Sequence, residues 1–203
     1  WQGRAVWRVV ESRGLPWEPQ SPSGFLIEDT LSARLHPRMA ASVLAAAIRN
    51  RGGEITLGDM PEASATPGPV IWATGLAGLI AMNETFGVGV GAGVKGQSLS
   101  LRLDRADLPQ IYAPGLHVVP HADGTVAIGS TSENEWTDPT TVDTQLDSLL
   151  DKALRVCPDL RGAPVLERWA VVRPRARSRA PMLGQWPGRP GHFVANGGFK
   201  IGF

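Results

Sequence analysis

The 203-residue chain carries 20 Lys+Arg against 19 Asp+Glu, a net charge of +1 that gives no global pull toward nucleic acid or a membrane surface. Its one cysteine, Cys157, excludes a disulfide framework and a cysteine-rich zinc site, and fits a reducing, cytoplasmic setting. No stretch has the length and apolarity of a membrane span, and the opening residues are not patterned as a signal peptide.

Apolar residues at helix-like spacing over residues 1–14, ending at Gly14, predict a short helix. Residues 15–24, with Pro16, Pro19 and Pro22, predict a loop, and Gly24 to Asp29 a short strand and turn. His36-Pro37-Arg38 opens a helix over residues 39–50, with proline in its first turn and Gly52-Gly53 as its stop. Residues 54–57 predict a strand directly after it. A proline-rich connector, residues 61–69, leads to Val70-Ile71-Trp72-Ala73-Thr74, read as a buried strand running into a small-residue turn at 75–79. Helix, strand, connector and strand together predict part of an α/β layer.

The next stretch, GVGVGAGVKGQSLSLRLD from Gly87 to Asp104, contains a dinucleotide-binding pattern, G-x-G-x-x-G, at Gly91, Gly93 and Gly96. Such glycines cradle a pyrophosphate only between a buried strand and a helix whose N-terminus faces the phosphates. Here polar Asn83-Glu84-Thr85 precedes, and leucines at alternate positions, Leu99, Leu101 and Leu103, follow with the period of a strand. The pattern is therefore not read as a nucleotide site.

Beyond Gly93, alternating strands are predicted at 97–103, 116–120 and 125–130, the last two joined by a turn at His121-Ala122-Asp123-Gly124. An amphipathic helix over 142–156 separates these from a strand at 165–172. The fold class is α+β: an antiparallel-sheet module interleaved with α/β elements.

The densest polar cluster runs from Arg168 to Gly184. Arg173, Arg175, Arg177 and Arg179 share parity, so on an extended chain they line one face. Three readings stay open on pattern alone. They are an anion- or nucleic-acid-binding strip with no catalytic role, a solvated edge strand protected by charge, or one arginine that grips a carboxylate while the rest are solvated. The neutral overall charge and the lack of interleaved aromatics weigh against nucleic acid. His117 and His121 are four apart on strand and turn, which separates them by about 13 Å on an extended strand and argues against a metal pair. Cys157 reads as a buried inert thiol, Trp169 and Trp186 as packing residues or a wall of the substrate pocket, and Lys95 as a solvated lysine at a strand start in preference to a contact near the active site.

Four segments, in order, resemble the D-amino acid oxidase/glycine oxidase superfamily of FAD-dependent oxidoreductases. His36-Pro37-Arg38-Met39 with its helix and Gly52-Gly53-Glu54-Ile55 resembles the family's D-P-R-x-L…G-A-x-I, and Val70 to Gly75 its V-V-x-A-T-G. Val94-Lys95-Gly96-Gln97 with Val119-Pro120, Asp123-Gly124 and Ile128-Gly129-Ser130-Thr131 is similar to V-x-G-Q…V-P…D-G…I-G-x-T. Trp169 to Pro174, Pro181 to Gly184 and Val194 to Gly202 are similar to W-A-G-x-R-P…P-x-I-G…A-T-G-H-x-x-x-G.

The resemblance implies hydride transfer from the α carbon of a small amine or amino acid to FAD. It implies that Arg173 holds the substrate carboxylate, with Lys200 a further substrate contact, and it marks no residue as a proton-transferring catalyst and no metal. Ala73, Gly75, Gly198, Phe199, Lys200, Ile201 and Gly202 match positions beside the flavin. It assigns residues 1–33 and 83–172 to a substrate-binding domain, and 34–82 and 173–203 to an FAD-binding domain. The family's own phosphate-binding glycines and final helix have no match here, so the chain is expected to be a piece of a longer protein and inactive alone. Two departures stand out. Pro174 to Arg179 is more basic than the family run, consistent with a substrate carrying extra acid, and Gly198 stands where many members have histidine.

Overall fold

The computed structural model describes residues 5–58 and 68–199. Its elements are β1 (Trp7–Glu11), β2 (Phe25–Asp29), α1 (Pro37–Asn50), β3 (Val70–Trp72), α2 (Gly75–Phe86), β4 (Gly91–Arg102), β5 (Ile111–Ala113), β6 (Leu116–Pro120), β7 (Thr125–Gly129), α3 (Thr144–Val156), β8 (Val165–Ala176), β9 (Met182–Gln185) and β10 (His192–Asn196). The mixture is α+β, as the sequence predicts. Two compact units share the chain: Trp1–Ile55, Gln97–Thr131 and Thr141–Trp169 form the first, and Thr56–Gly96, Ser132–Thr140 and Ala170–Phe203 the second. Strands β4 and β8 have residues in both.

In the first unit, β5, β6, β7 and the end of β4 form an antiparallel meander in the order β5-β6-β7-β4. Alternation decides its faces: Leu99, Leu101, Val118, Val126 and Ile128 are fully or almost fully buried. Helix α3 adds Leu146, Leu149 and Ala153 to the same core, one stripe at helical spacing. Its N-cap is Asp143, whose Oδ1 accepts from the Gln145 amide at 2.9 Å. Gln97, wholly buried, fixes that cap from β4, because its Oε1 accepts from the Asp143 amide at 2.8 Å and its Nε2 donates to Asp143 Oδ1 at 2.9 Å. The hairpin turn falls at 121–124, with Gly124 at φ 80°. The proline-rich loop is anchored by Trp17, whose indole N–H donates to the Pro109 carbonyl at 2.8 Å.

The second unit holds a three-stranded sheet in the order β3-β10-β9, with β3 parallel and β9 antiparallel to β10. Helix α2 follows β3 and buries Leu79 and Met82, the latter in a cluster with Trp186 and Val194.

Several expectations are corrected. Residues 7–11 form strand β1, not a helix: Val6, Trp7, Val9 and Val10 favour extended backbone, and pairing of Trp7–Glu11 with Asp29–Phe25 decides the matter. Residues 54–57 form no strand, having no ladder partner among the described residues, and Leu57 is exposed. The segment read as a turn at 75–79 is the first half of α2. Its glycines misled, since Gly75 merely opens the helix at φ 57° and Gly78 lets it pass close to Thr74 and Asn196. Strand β4 starts at Gly91 and β8 ends at Ala176, both longer than predicted. Among the described residues, no helix is long and apolar enough to cross a membrane.

Candidate active site

The three glycines of the G-x-G-x-x-G pattern lie inside strand β4. Their spacing serves packing. A Cβ at Gly91 would lie 2.7 Å from the Arg175 carbonyl oxygen, and one at Gly93 would lie 2.5 Å from Val172 Cγ1. A Cβ at Gly96 would lie 2.8 Å from Arg173 Nη2, 3.0 Å from its Cζ and 3.2 Å from its Nε. The guanidinium of Arg173 thus packs closely against the bare backbone of Gly96.

Arg173 is half-buried on β8. Its Cζ stands 5.0 Å from the centre of the Phe199 ring, and that of Arg175 stands 5.6 Å from the same ring. Burial draws the Arg173 guanidinium below its ordinary pKa, and the charge of Glu133 opposes the shift. Lys95, expected in solvent, is buried at 3% exposure, and its Nζ lies 3.8 Å from the Glu133 carboxylate, itself 9% exposed. The backbones of Lys95 and Glu133 also exchange two hydrogen bonds of 2.9 Å. The signal for this buried pair was present in Val94-Lys95-Gly96-Gln97, where a lysine interrupts a buried strand, but the pattern gave no hint of its partner.

The expected cofactor residues gather at one end of the parallel pair. Ala73 lies between β3 and α2, Gly75 is the first residue of α2, and Gly198 and Phe199 follow β10. Asn196, not foreseen in the sequence, joins the two: its Nδ2 donates to the Gly75 carbonyl at 2.8 Å and its Oδ1 accepts from the Gly197 amide at 2.7 Å. Gly197, at φ 74°, lies so close to β8 that a Cβ there would come within 2.7 Å of Ala176 Cβ. A Cβ at Gly75 would meet no atom within 4 Å, and Ala73 and Thr74 are exposed, so bare backbone faces outward at the start of α2. That surface fits a flat ring system laid against peptide planes, as FAD would need. Lys200, Ile201 and Gly202 lie outside the described residues.

The arginine strip is not continuous. Arg173 and Arg175 sit on the strand, whereas Arg177 and Arg179 fall in the turn after it, Arg179 at φ 64°. Four arginines on one extended face are thereby excluded.

The two histidines of the meander have separate surroundings. The His117 ring contacts Tyr112, with centroids 5.0 Å apart. His121 is 8% exposed and contacts His36, with centroids 4.5 Å apart, and His36 Nε2 lies 3.2 Å from Asp123 Oδ2. Burial first, and His36 second, hold His121 below its ordinary pKa. Among the described residues, no group of three or more His, Cys, Asp or Glu is placed to hold a metal.

An arginine packed on a glycine of β4, and a parallel strand running into a helix, belong to one unit of an α+β protein. The chain belongs to the DAO family of FAD dependent oxidoreductases, whose model matches residues 8–203. The glycine oxidase of Pseudomonas putida KT2440 is 34% identical over 110 residues, which cover 54% of this chain and 30% of that protein. A glycine oxidase of Pseudomonas aeruginosa PAO1 is 32% identical over 110 residues, again 30% of its length. The chain thus spans about a third of the curated relatives it matches. Among solved structures, iminodiacetate oxidase from Chelativorans sp. BNC1 superposes with a TM-score of 0.75 at 17% identity, covering 96% of this chain and 58% of that one. Glycine oxidase from Geobacillus kaustophilus superposes at 0.58 and 23% identity, covering 96% and 44%.

Proposed function

We propose that the protein carrying this chain oxidises a small amine or amino acid, and that Arg173 holds the substrate's carboxylate. The observation that carries this reading is the placement of Arg173. It packs on Gly96 and against Phe199, on the strand whose end lies beside Gly197. A planar guanidinium can make two parallel hydrogen bonds to a carboxylate, which set the substrate's orientation as well as its affinity. Partial burial strengthens the interaction by lowering the local dielectric.

FAD, when bound, supplies the two-electron acceptor for oxidation at the substrate's α carbon. Ala73, Gly75, Gly198 and Phe199 are the described residues assigned to hold it, and Lys200, Ile201 and Gly202 complete that set. Lys200 is assigned a second contact with the substrate. The glycine oxidases and the iminodiacetate oxidase similar to this chain act, by their names, on amines bearing carboxylates. This supports the same class of substrate here.

The test is Arg173→Ala in the full-length holoenzyme. Loss of one partner of a desolvated ion pair costs about 2–5 kcal/mol, so kcat/KM for carboxylate-bearing amines falls at least about 30-fold, while bound flavin per protein is unchanged. An unchanged kcat/KM refutes the assignment.

A further inference from the structure

The turn after β8 builds a second feature of the same unit. An open hollow of about 350 Å³ is lined by Gly89, Gly91, Ala92 and Ala176 together with Arg175, Arg177 and Arg179. No carboxylate lines it. Among the described residues, none of the three arginines forms an ion pair. Three like charges around one hollow repel one another and favour an anion between them.

The backbone is specific about this arrangement. The Arg177 amide donates to the Val90 carbonyl at 2.8 Å, and the Arg179 amide to the Ala176 carbonyl at 2.9 Å, which closes the turn. Arg179 takes φ 64°, a left-handed conformation uncommon for a residue with a side chain. Had the strand continued, its arginines would be spread along one face. The turn instead brings them around the hollow, and the small residues opposite leave room within it. The hollow also adjoins the site described above, because Arg175 and Arg173 contact the same ring, Phe199.

We propose that this hollow is a subsite for a second acidic group of the substrate, so that the protein selects amines bearing two carboxylates. The inference rests on Arg173 as the holder of the first carboxylate. Arg173 takes one end of such a substrate through a fork-to-carboxylate pair, and Arg175 with Arg177 and Arg179 takes the other. A monocarboxylate amine leaves the three arginines mutually repelling, and a dicarboxylate relieves that repulsion on binding.

Calorimetric titration of the full-length holoenzyme with two unreactive probes, glutarate and butyrate, tests the proposal, with inorganic phosphate as a third arm. In the wild type, glutarate binds at least about tenfold more tightly than butyrate. The double variant Arg175→Gln/Arg177→Gln brings that ratio to about one and leaves butyrate affinity within about twofold. A ratio near one in the wild type, or a preference that survives the double variant, overturns the subsite. Phosphate binding that equals glutarate binding and ignores Arg173→Gln also overturns it, since the hollow would then be an independent oxyanion site. Arg173→Gln separates the two claims, because it weakens both organic probes if Arg173 holds the first carboxylate. If Arg173→Gln leaves both unchanged, the proposed function fails whatever the double variant does.

Discussion

Two glycine substitutions in β4 should have opposite consequences, although both add one methyl group to the same strand. At Gly91 the new Cβ would sit 2.7 Å from the Arg175 carbonyl oxygen, an atom held by the backbone of β8. Backbone cannot yield without moving a strand, so Gly91→Ala is an overpacking change costing about 1–3 kcal/mol. For a protein of this size that lowers Tm by roughly 2–12 °C. At Gly96 the new Cβ would sit 2.8 Å from Arg173 Nη2, the far end of a flexible side chain. The guanidinium can swing aside, so Gly96→Ala should cost less than about 1 kcal/mol of stability. What it loses is the surface that directs Arg173, and carboxylate affinity should fall by about tenfold or more. Thermal melts followed by circular dichroism, with a carboxylate titration of each variant, read both quantities. The reasoning fails if Gly96→Ala melts lower than Gly91→Ala, or if it binds carboxylate like the wild type.

Other consequences follow from buried groups of the first unit. Burial pushes the Cys157 thiol up to about 11, so the folded protein should react with a disulfide reagent near neutral pH far more slowly than the urea-unfolded chain. Equal rates would contradict its burial beneath α3. His121 is held below its ordinary pKa by burial and by His36, with Asp123 opposing and Arg34 reinforcing. The unfolded chain therefore binds the proton more readily. Stability is fully present above about pH 6.5 and declines as pH falls from there toward the folded value. Urea midpoints at about pH 7.5 and about pH 5.5 should show this fall in the wild type, and His121→Asn should remove most of it. Equal slopes in the two proteins would rule His121 out as the cause.

Much of the first unit was legible because its signals are local and periodic. Alternation gave β6 and β7, Asp123-Gly124 gave their turn, and a helical stripe gave α3. Helix α1 was legible from proline at its start and glycines at its end, even though it buries no residue. The failures share a cause, since each depends on a partner distant in sequence. Strand β1 is extended because β2 pairs with it, and β-propensity overrides a spacing that also suits a helix. Helix α2 carries Gly78 where the side chain of the distant Asn196 approaches it, and sequence alone reads its glycines as a turn. Lys95 looks solvated until Glu133 is placed beside it. Arg173 and Phe199 were singled out by resemblance, and no periodicity links them. Asn196 carried no signal beyond its place in Val194-Ala195-Asn196-Gly197-Gly198. The glycines of the fingerprint at Gly91, Gly93 and Gly96 lie in a strand, as the alternating leucines after them indicated, but their purpose became visible only when β8 and α2 lay against them.

The most direct test of Arg173 as the carboxylate-holding residue is the visible spectrum of the flavin in the full-length holoenzyme during titration with an unreactive carboxylate. The account predicts a saturable spectral change in the wild type and the same end point in Arg173→Gln. The variant should reach it only at concentrations at least about 30-fold higher, with flavin content unaltered. Superimposable titration curves for the two proteins would contradict it.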